Sequence, residues 1–465
     1  MKKNWILILI IMVVFLPLGA EPMNLTVDKA VELGLSNNFN IRVQESKVGT
    51  SARAKDDAWN VFIPDVSASA ILSRSNSAMT TPAGMVISPE GASSGLSATT
   101  RLPVFDQVSV YSYDSQEMSP WTLVGNLSAQ MALSPAIGNG ITALALNYEN
   151  ALLGLESAEN TTEQSIKKNF YGILLMQEQI NLLKKNIKTM ESRLVNMEEM
   201  YNYGYITQLD LLNTEAGLAS MGPTLTSLEN SYELMLMSFR MELGLDLDQP
   251  LTLDGEVEAS PATWDADMLV NKYLGDSLDL KQLEISRQML ENGKNATFNQ
   301  SRLPALILSW SYSPYQADPF DFDNWGEDNF SGDNGSLSIT FSMPVDDWLP
   351  HSGTDNKLKE AEEQLEQLAY QRELAVLGTE MQIRSLVMNL NTSRENLAVK
   401  EDAVGINRQS YEMSQEAYNN GGLTLIDLET AENDLLQAES DLLSEKYTYI
   451  SNLLDLEAAL NRSLN

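Results

Sequence analysis

Every seventh residue before Tyr201 is apolar: Leu194, Ile187, Ile180, Ile173 and Ile166. The same steps back from Tyr418 land on Tyr411, Val404, Leu397, Leu390 and Ile383. A period of seven is the seam of a helix packed on other helices with a left-handed supercoil. The stripe resumes downstream as Leu211, Leu218, Leu225, Tyr232 and Phe239, and as Leu428, Leu435, Leu442, Tyr449 and Leu456. Between the stripes lie two near-copies of one turn, "YNYGYITQLDLLNTE" at 201–215 and "YNNGGLTLIDLETAE" at 418–432, offset by 418 − 201 = 217 residues. Each turn is expected to reverse the chain between two coiled helices, an αα-hairpin. Gly204 and Gly421 suit the left-handed residue that ends a helix, and Thr207 and Thr424 suit N-caps. Asp210 and Asp427 fall in the first helical turn, near its exposed amides. A partner stripe of Met176, Leu183, Met190 and Met197 completes the first seam, but its counterparts are Ser393, Lys400, Asn407 and Ser414. The copies share geometry and differ in what they face. Gly222-Pro223 inside the first returning helix predicts a kink or short break. Apolar positions run back through Phe170 towards Ile141, so that helix should span about 60 residues and about 90 Å, implying a rod or tube.

Elsewhere the period is two. Val66, Ala68, Ala70 and Leu72 alternate with Ser67 and Ser69, and Leu127, Ala129, Met131 and Leu133 with Ser128 and Gln130. Leu306, Leu308, Trp310 and Tyr312 oppose Ser309 and Ser311; Leu337, Ile339, Phe341 and Met343 oppose Ser338, Thr340 and Ser342. Four strands of this length and period fit either a lipid-crossing barrel or a soluble sheet with one buried face. Helical segments from about Leu25 to Asn60 and from about Trp264 precede the two strand pairs. The expected organisation is a signal peptide over 1–20 and a first repeat over 21–245, with strands near 64–73 and 126–135 and a hairpin tip at 201–210. A linker over 246–264 then leads to a second repeat over 265–465, with strands near 304–313 and 336–344 and a tip at 418–427.

Composition narrows the choice. Lys2 and Lys3, the apolar run Trp5 to Leu16 and Pro17-Leu18-Gly19-Ala20 have the three-part form of a secretory signal. An uncleaved anchor is the alternative, and either way the body leaves the cytosol. The 30 basic and 64 acidic residues give 30 − 64 = −34, with no basic stripe, which argues against nucleic acid as a partner. With no cysteine, disulfides cannot support an exported fold, and stability must come from packing or assembly. Acidic insertions join the strands: Asp318, Asp321, Asp323, Glu327, Asp328 and Asp333 in the second copy, and a longer segment from Asn76 to Val124 in the first. Their spacing does not meet that of a calcium loop, and no metal or other cofactor is expected. Export, the lack of disulfides and the acidic loops favour the barrel. Four strands cannot close one, so it has to be shared between chains. His351, the sole histidine, lies in a polar turn without a paired acid or nucleophile, so no enzyme is expected.

The signal, the segment "LTVDKAVELGLSNNFNIRVQESKVGTSARAKDDAWNVFIPDVSASA", two strand pairs and two Tyr-x-x-Gly-x-x-Thr-x-x-Asp-Leu turns resemble the TolC family of outer-membrane efflux proteins. The resemblance covers nearly the whole mature chain. It implies an α+β membrane protein with an internal structural repeat. A transmembrane β-barrel with four strands per chain would be shared by a homotrimer and continued by a long periplasmic α-helical coiled-coil barrel. It implies an exit duct for small molecules or polypeptide in efflux or type I secretion, working with a periplasmic adaptor and an inner-membrane RND or ABC transporter. Both turns would be periplasmic tips. Asp427 would line the entrance once per chain, although its position also suits a helix cap, and Thr430 stands where the family often carries a second acid. Tyr418 and Asp210 are further entrance candidates. Gly204, Thr207, Gly421 and Thr424 are candidate adaptor contacts, and Trp310 and Tyr312 candidate aromatics at the boundary with outer-membrane lipid. The competing class is an exported structural coiled coil or adhesin-like protein without a pore.

Overall fold

The computed structural model describes residues 23–74, 85–89, 108–112, 121–317, 319–320, 322–324 and 335–464. The expected signal peptide, much of the Asn76–Val124 segment, and Asp318, Asp321, Glu327, Asp328 and Asp333 lie outside them. In chain order the elements are β1 (Met23–Leu25), α1 (Val27–Asn37), α2 (Phe39–Asp56), β2 (Asp65–Arg74), β3 (Met85–Pro89), β4 (Val108–Ser112), β5 (Trp121–Leu133), α3 (Ala136–Asn202) and α4 (Gln208–Glu242). There follow β6 (Leu251–Leu253), α5 (Ala266–Tyr273), α6 (Leu278–Arg302), β7 (Ala305–Tyr312), β8 (Tyr315–Ala317), β9 (Gly335–Ser342), α7 (Gly353–Asn419) and α8 (Leu425–Leu460). They divide into a helical unit of residues up to Lys55, Leu144–Glu291 and Glu362–Asn465, and a strand unit of Asp56–Ala143 and Asn292–Ala361.

The heptad stripes bury the helical unit's core twice over. One apolar cluster centres on Ile166, Ile173, Phe239 and Leu243. The other centres on Ile383, Leu390, Leu456 and Leu460. These four pairs keep the 217-residue offset of the turns, and all eight side chains are at most 1% exposed. Each contributes roughly 1.5–3 kcal/mol by leaving water. The repeat is thus a repeat of packing. α4 ends with Gly244 in the left-handed region (φ 68°), and at the matching place α8 ends with Asn461 (φ 50°). Backbone bonds from Gly244 to Met241 and from Leu245 to Arg240 close the first end; Asn461 to Ala458 and Arg462 to Glu457 close the second.

Three expectations change. The continuous helix from Leu25 to Asn60 is instead strand β1, α1, α2 and a 3₁₀ turn at Asp57–Phe62. Buried Asn38 makes the break: its Nδ2 donates to the Glu242 carbonyl (2.9 Å) and its Oδ1 accepts from the Asn40 amide (2.8 Å). It thereby satisfies one end of α4 while starting α2. The segment read as a linker carries β6, which pairs in parallel with β1, Leu25 beside Leu253. Neither three-residue strand is long enough to display a period. Finally, of the kink or short break expected at Gly222-Pro223, the break does not occur, and α4 is continuous through Pro223. Ala219, Gly222 and Pro223 are exposed, so water can serve the carbonyl that proline leaves unpaired.

In the strand unit, antiparallel pairing gives the order β2-β5-β7-β9, with β8 extending the pairing on β5 beyond Ser313-Pro314. β3 and β4 form a separate pair. Register puts Ser67, Ser128, Ser311 and Ser336 on one rung and Val66, Ala129, Trp310 and Leu337 on the next. One face therefore carries hydroxyl pairs, Ser67–Ser128 at 2.7 Å, Ser309–Ser338 at 2.6 Å and Ser311–Ser336 at 2.9 Å. The other is apolar and bare: Val66 is 73%, Leu337 72% and Phe341 70% exposed. Among the described residues no helix is long and apolar enough to cross a membrane.

The end of α4 gives a direct check. A Cβ on Gly244 would stand 2.7 Å from the Asn37 carbonyl oxygen, on backbone that L side chains rarely adopt. Gly244→Ala should lower the free energy of unfolding by about 2–3 kcal/mol, read as a lower urea midpoint.

Candidate functional site

Both tips are built from the same local bonds. At the first, the Gly204 amide donates to the Tyr201 carbonyl (2.9 Å) and Tyr205 to Met200 (2.8 Å), with Gly204 at φ 75°. At the second, Gly421 donates to Tyr418 (2.9 Å) and Gly422 to Ala417 (2.8 Å), with Gly421 at φ 73°. A threonine then starts the returning helix. The Thr207 amide and hydroxyl donate to Asp210 Oδ2 (3.0 and 2.7 Å), and the Asp210 amide donates back to Thr207 Oγ1 (3.2 Å). Thr424 and Asp427 repeat this box at 3.2, 2.6 and 3.3 Å. Two orphan amides are satisfied in each box. Because the threonine bonds favour the charged carboxylate, Asp210 and Asp427 are both held below the usual aspartate range.

The tips differ in what they present. Tyr203 and Tyr205 at the first are 75% and 77% exposed, with ring centroids 6.3 Å apart. The matching positions at the second hold Asn420 and Gly422. Thr430 is exposed and turns its hydroxyl onto the Ile426 carbonyl (2.7 Å), which leaves Asp427 without a second acid one turn on. Tyr418 is half-buried, and its phenol is pushed up by burial, opposed by Arg193 and reinforced by Asp210 and Glu429. A candidate of the second hairpin is thereby brought within electrostatic range of one on the first. Trp310 and Tyr312 belong to the strand unit, on the apolar face of β7. Trp310 sits between Ala129 and Leu337, several rungs from either end of the sheet.

Behind the tips is a charged contact that heptad reading missed. Arg193 of α3 meets Glu432 of α8 at 2.6 Å, the two side chains only 10% and 12% exposed. Glu429, one turn before Glu432, keeps Oε1 buried without a hydrogen-bond partner. Burial pushes the Glu429 carboxyl up, Arg193 opposes this and Glu432 adds to it. Burial also raises the Tyr411 phenol, which bonds Arg193. One guanidinium therefore links the hairpins while serving two carboxylates. The available signal was Arg193 itself, a lone base in "MESRLVNMEEM" beside the apolar stripe.

Helical hairpins of this length joined to a small, one-face-apolar antiparallel sheet define the fold of the outer-membrane channel proteins. The Campylobacter jejuni CmeC outer membrane channel superposes with a TM-score of 0.71 at 15% identity, covering 93% of this chain and 85% of that one. The outer membrane protein VceC of Vibrio cholerae gives 0.68 at 15% identity, covering 94% and 97%. In sequence, residues 269–462 match the family model "Outer membrane efflux protein". The outer membrane protein TolC of Vibrio cholerae serotype O1 is 23% identical over 303 residues, 63% of this chain and 66% of that protein. Over residues 269–462 the chain is thus similar to the outer-membrane efflux proteins, and over nearly its whole length it has the fold of the outer-membrane channels.

Two outcomes follow from the tip chemistry. A carboxylate held low in the fold contributes stability above its unfolded pKa and loses it as pH falls through its folded value. Protection factors of the tip amides, corrected for the intrinsic exchange rate, should therefore fall as pH drops below the ordinary aspartate value of about 4, and Thr424→Ala should cost about 1 kcal/mol at neutral pH and flatten that response at the second tip. Glu429 has the opposite sign, its contact favoured in acid and lost as pH rises through its raised pKa. Arg193→Met should destabilise the hairpin pair by about 2–4 kcal/mol, and Arg193→Met with Glu432→Leu by less, read in urea midpoints.

Proposed function

We infer that the chain is an outer-membrane channel, the passive exit duct of a tripartite efflux or type I secretion system, with its helical hairpins in the periplasm. The carrying observation is the strand unit. Its sheet has one hydroxyl-bearing and one bare apolar face, and among the described residues its outer strands β2 and β9 have one neighbour each. In hydrocarbon an open edge leaves several amides unsatisfied, at a cost of several kcal/mol each. Three copies closing a twelve-stranded barrel, β9 of one against β2 of the next, would remove every edge. The serine rungs would then line a solvated lumen, and the apolar rungs would face lipid. A coiled coil or adhesin without a pore gives no reason for that pair of faces.

The tips are the proposed periplasmic end. Gly204, Thr207, Gly421 and Thr424 shape the surface offered to an adaptor, and Asp427, once per chain, is the entrance candidate. Its capping box ties the carboxylate to its own helix, so gating and capping by Asp427 are separable only by experiment. The partners are a periplasmic adaptor and an inner-membrane RND or ABC transporter. Trp310 and Tyr312 would meet acyl chains.

Single-channel conductance in planar bilayers tests the entrance. Asp427→Ala should raise resting conductance several-fold while Asp210→Ala leaves it near the wild-type level. Unchanged conductance in Asp427→Ala assigns the residue to capping alone.

A further inference from the structure

The apolar face of the sheet ends in a single cation. On that face the rungs Val66–Ala129, Ala68–Leu127, Ala70–Gly125 and Leu72–Leu123 are uncharged, and the last is Arg74–Trp121. The guanidinium lies 5.6 Å from the centre of the indole ring. Phe320, 53% exposed, meets the same indole edge-on at 5.4 Å. At the other end of the sheet, where the helical segments of this unit attach, a second arginine is built differently. Arg302 lies over Phe298 and Trp348, and its charge is answered by Asp355 at 3.7 Å. Arg74 is exposed, and no ion pair joins it to a carboxylate among the described residues.

We propose that Arg74 and Trp121 form a binding site for the phosphate of a lipid in the outer leaflet. The proposal rests on the barrel reading above, which turns this face to lipid and this end to the exterior. A guanidinium on the last apolar rung stands at head-group depth. There its planar fork matches phosphate oxygens, while the indole and Phe320 lie against the glycerol or sugar and the first methylenes. In a chain of net charge −34, a base stacked on an aromatic and without a carboxylate partner among the described residues is suited to an anion from outside the protein. An outer-leaflet phosphate is the anion that position offers.

Native mass spectrometry of the detergent-purified full chain, titrated with bisphosphorylated lipid A, measures this directly. Arg74→Gln should bind about tenfold more weakly, Arg74→Lys about two- to threefold more weakly, and Lys357→Gln, an exposed base elsewhere in the same unit, as wild type. Lipid A stripped of both phosphates should bind wild type and Arg74→Gln equally. Equal affinity of these two proteins for the bisphosphorylated lipid overturns the site. Displacement of the lipid from wild type by millimolar inorganic phosphate also overturns it, by making free phosphate the ligand. Bilayer conductance read in parallel separates the two levels. If the barrel reading fails, wild type does not conduct. If only the lipid site fails, both proteins conduct and Arg74→Gln keeps its lipid affinity.

Discussion

A strand edge cannot be left open in hydrocarbon, and among the described residues the sheet has two. The sheet β2-β5-β7-β9 pairs its inner strands on both sides but gives β2 and β9 one neighbour each. Lipid supplies neither donor nor acceptor, so the amides on those edges can be satisfied only by further strands. That constraint makes a channel of this kind an assembly before it is anything else. It also accounts for the two faces. Hydroxyls bonded strand to strand are costly against lipid and inexpensive against water, whereas Val66, Leu337 and Phe341 are the reverse.

The helical unit meets a related demand by duplication. Ile166, Ile173, Phe239 and Leu243 do in one half what Ile383, Leu390, Leu456 and Leu460 do in the other. Against that shared frame the differences stand out. The first tip carries exposed Tyr203 and Tyr205 where the second has Asn420 and Gly422. Arg193 joins the hairpins with no counterpart on the other side, since Ser410 occupies the matching position. An exposed tip needs few side chains to hold its shape, because its glycine and Thr-Asp box are self-contained. The charged contact behind it needs both hairpins, as does the Lys168–Asp455 pair further along the same two helices.

Long helices and a small antiparallel sheet were legible because both depend on periodic burial, which sequence displays directly. The tip residues were legible for a different reason: a left-handed glycine and an N-capping threonine act within a few residues of themselves. What could not be read depended on distant partners. Asn38 breaks a helix because the end of α4 arrives beside it, 204 residues away in sequence. β1 and β6 are too short to show a period and exist by pairing with each other. No break occurs at Pro223 because its exposure lets water serve the carbonyl that proline leaves unpaired. Arg193 sits beside the apolar stripe, where composition suggests solvent, and only the approach of α8 encloses it.

The central claim is that the barrel is completed between chains. Light scattering of the detergent-extracted protein, corrected for bound detergent, gives the molar mass of the protein component. Three times the chain mass is the value predicted. A stable monomer, with both strand edges open and no channel activity, would contradict the account.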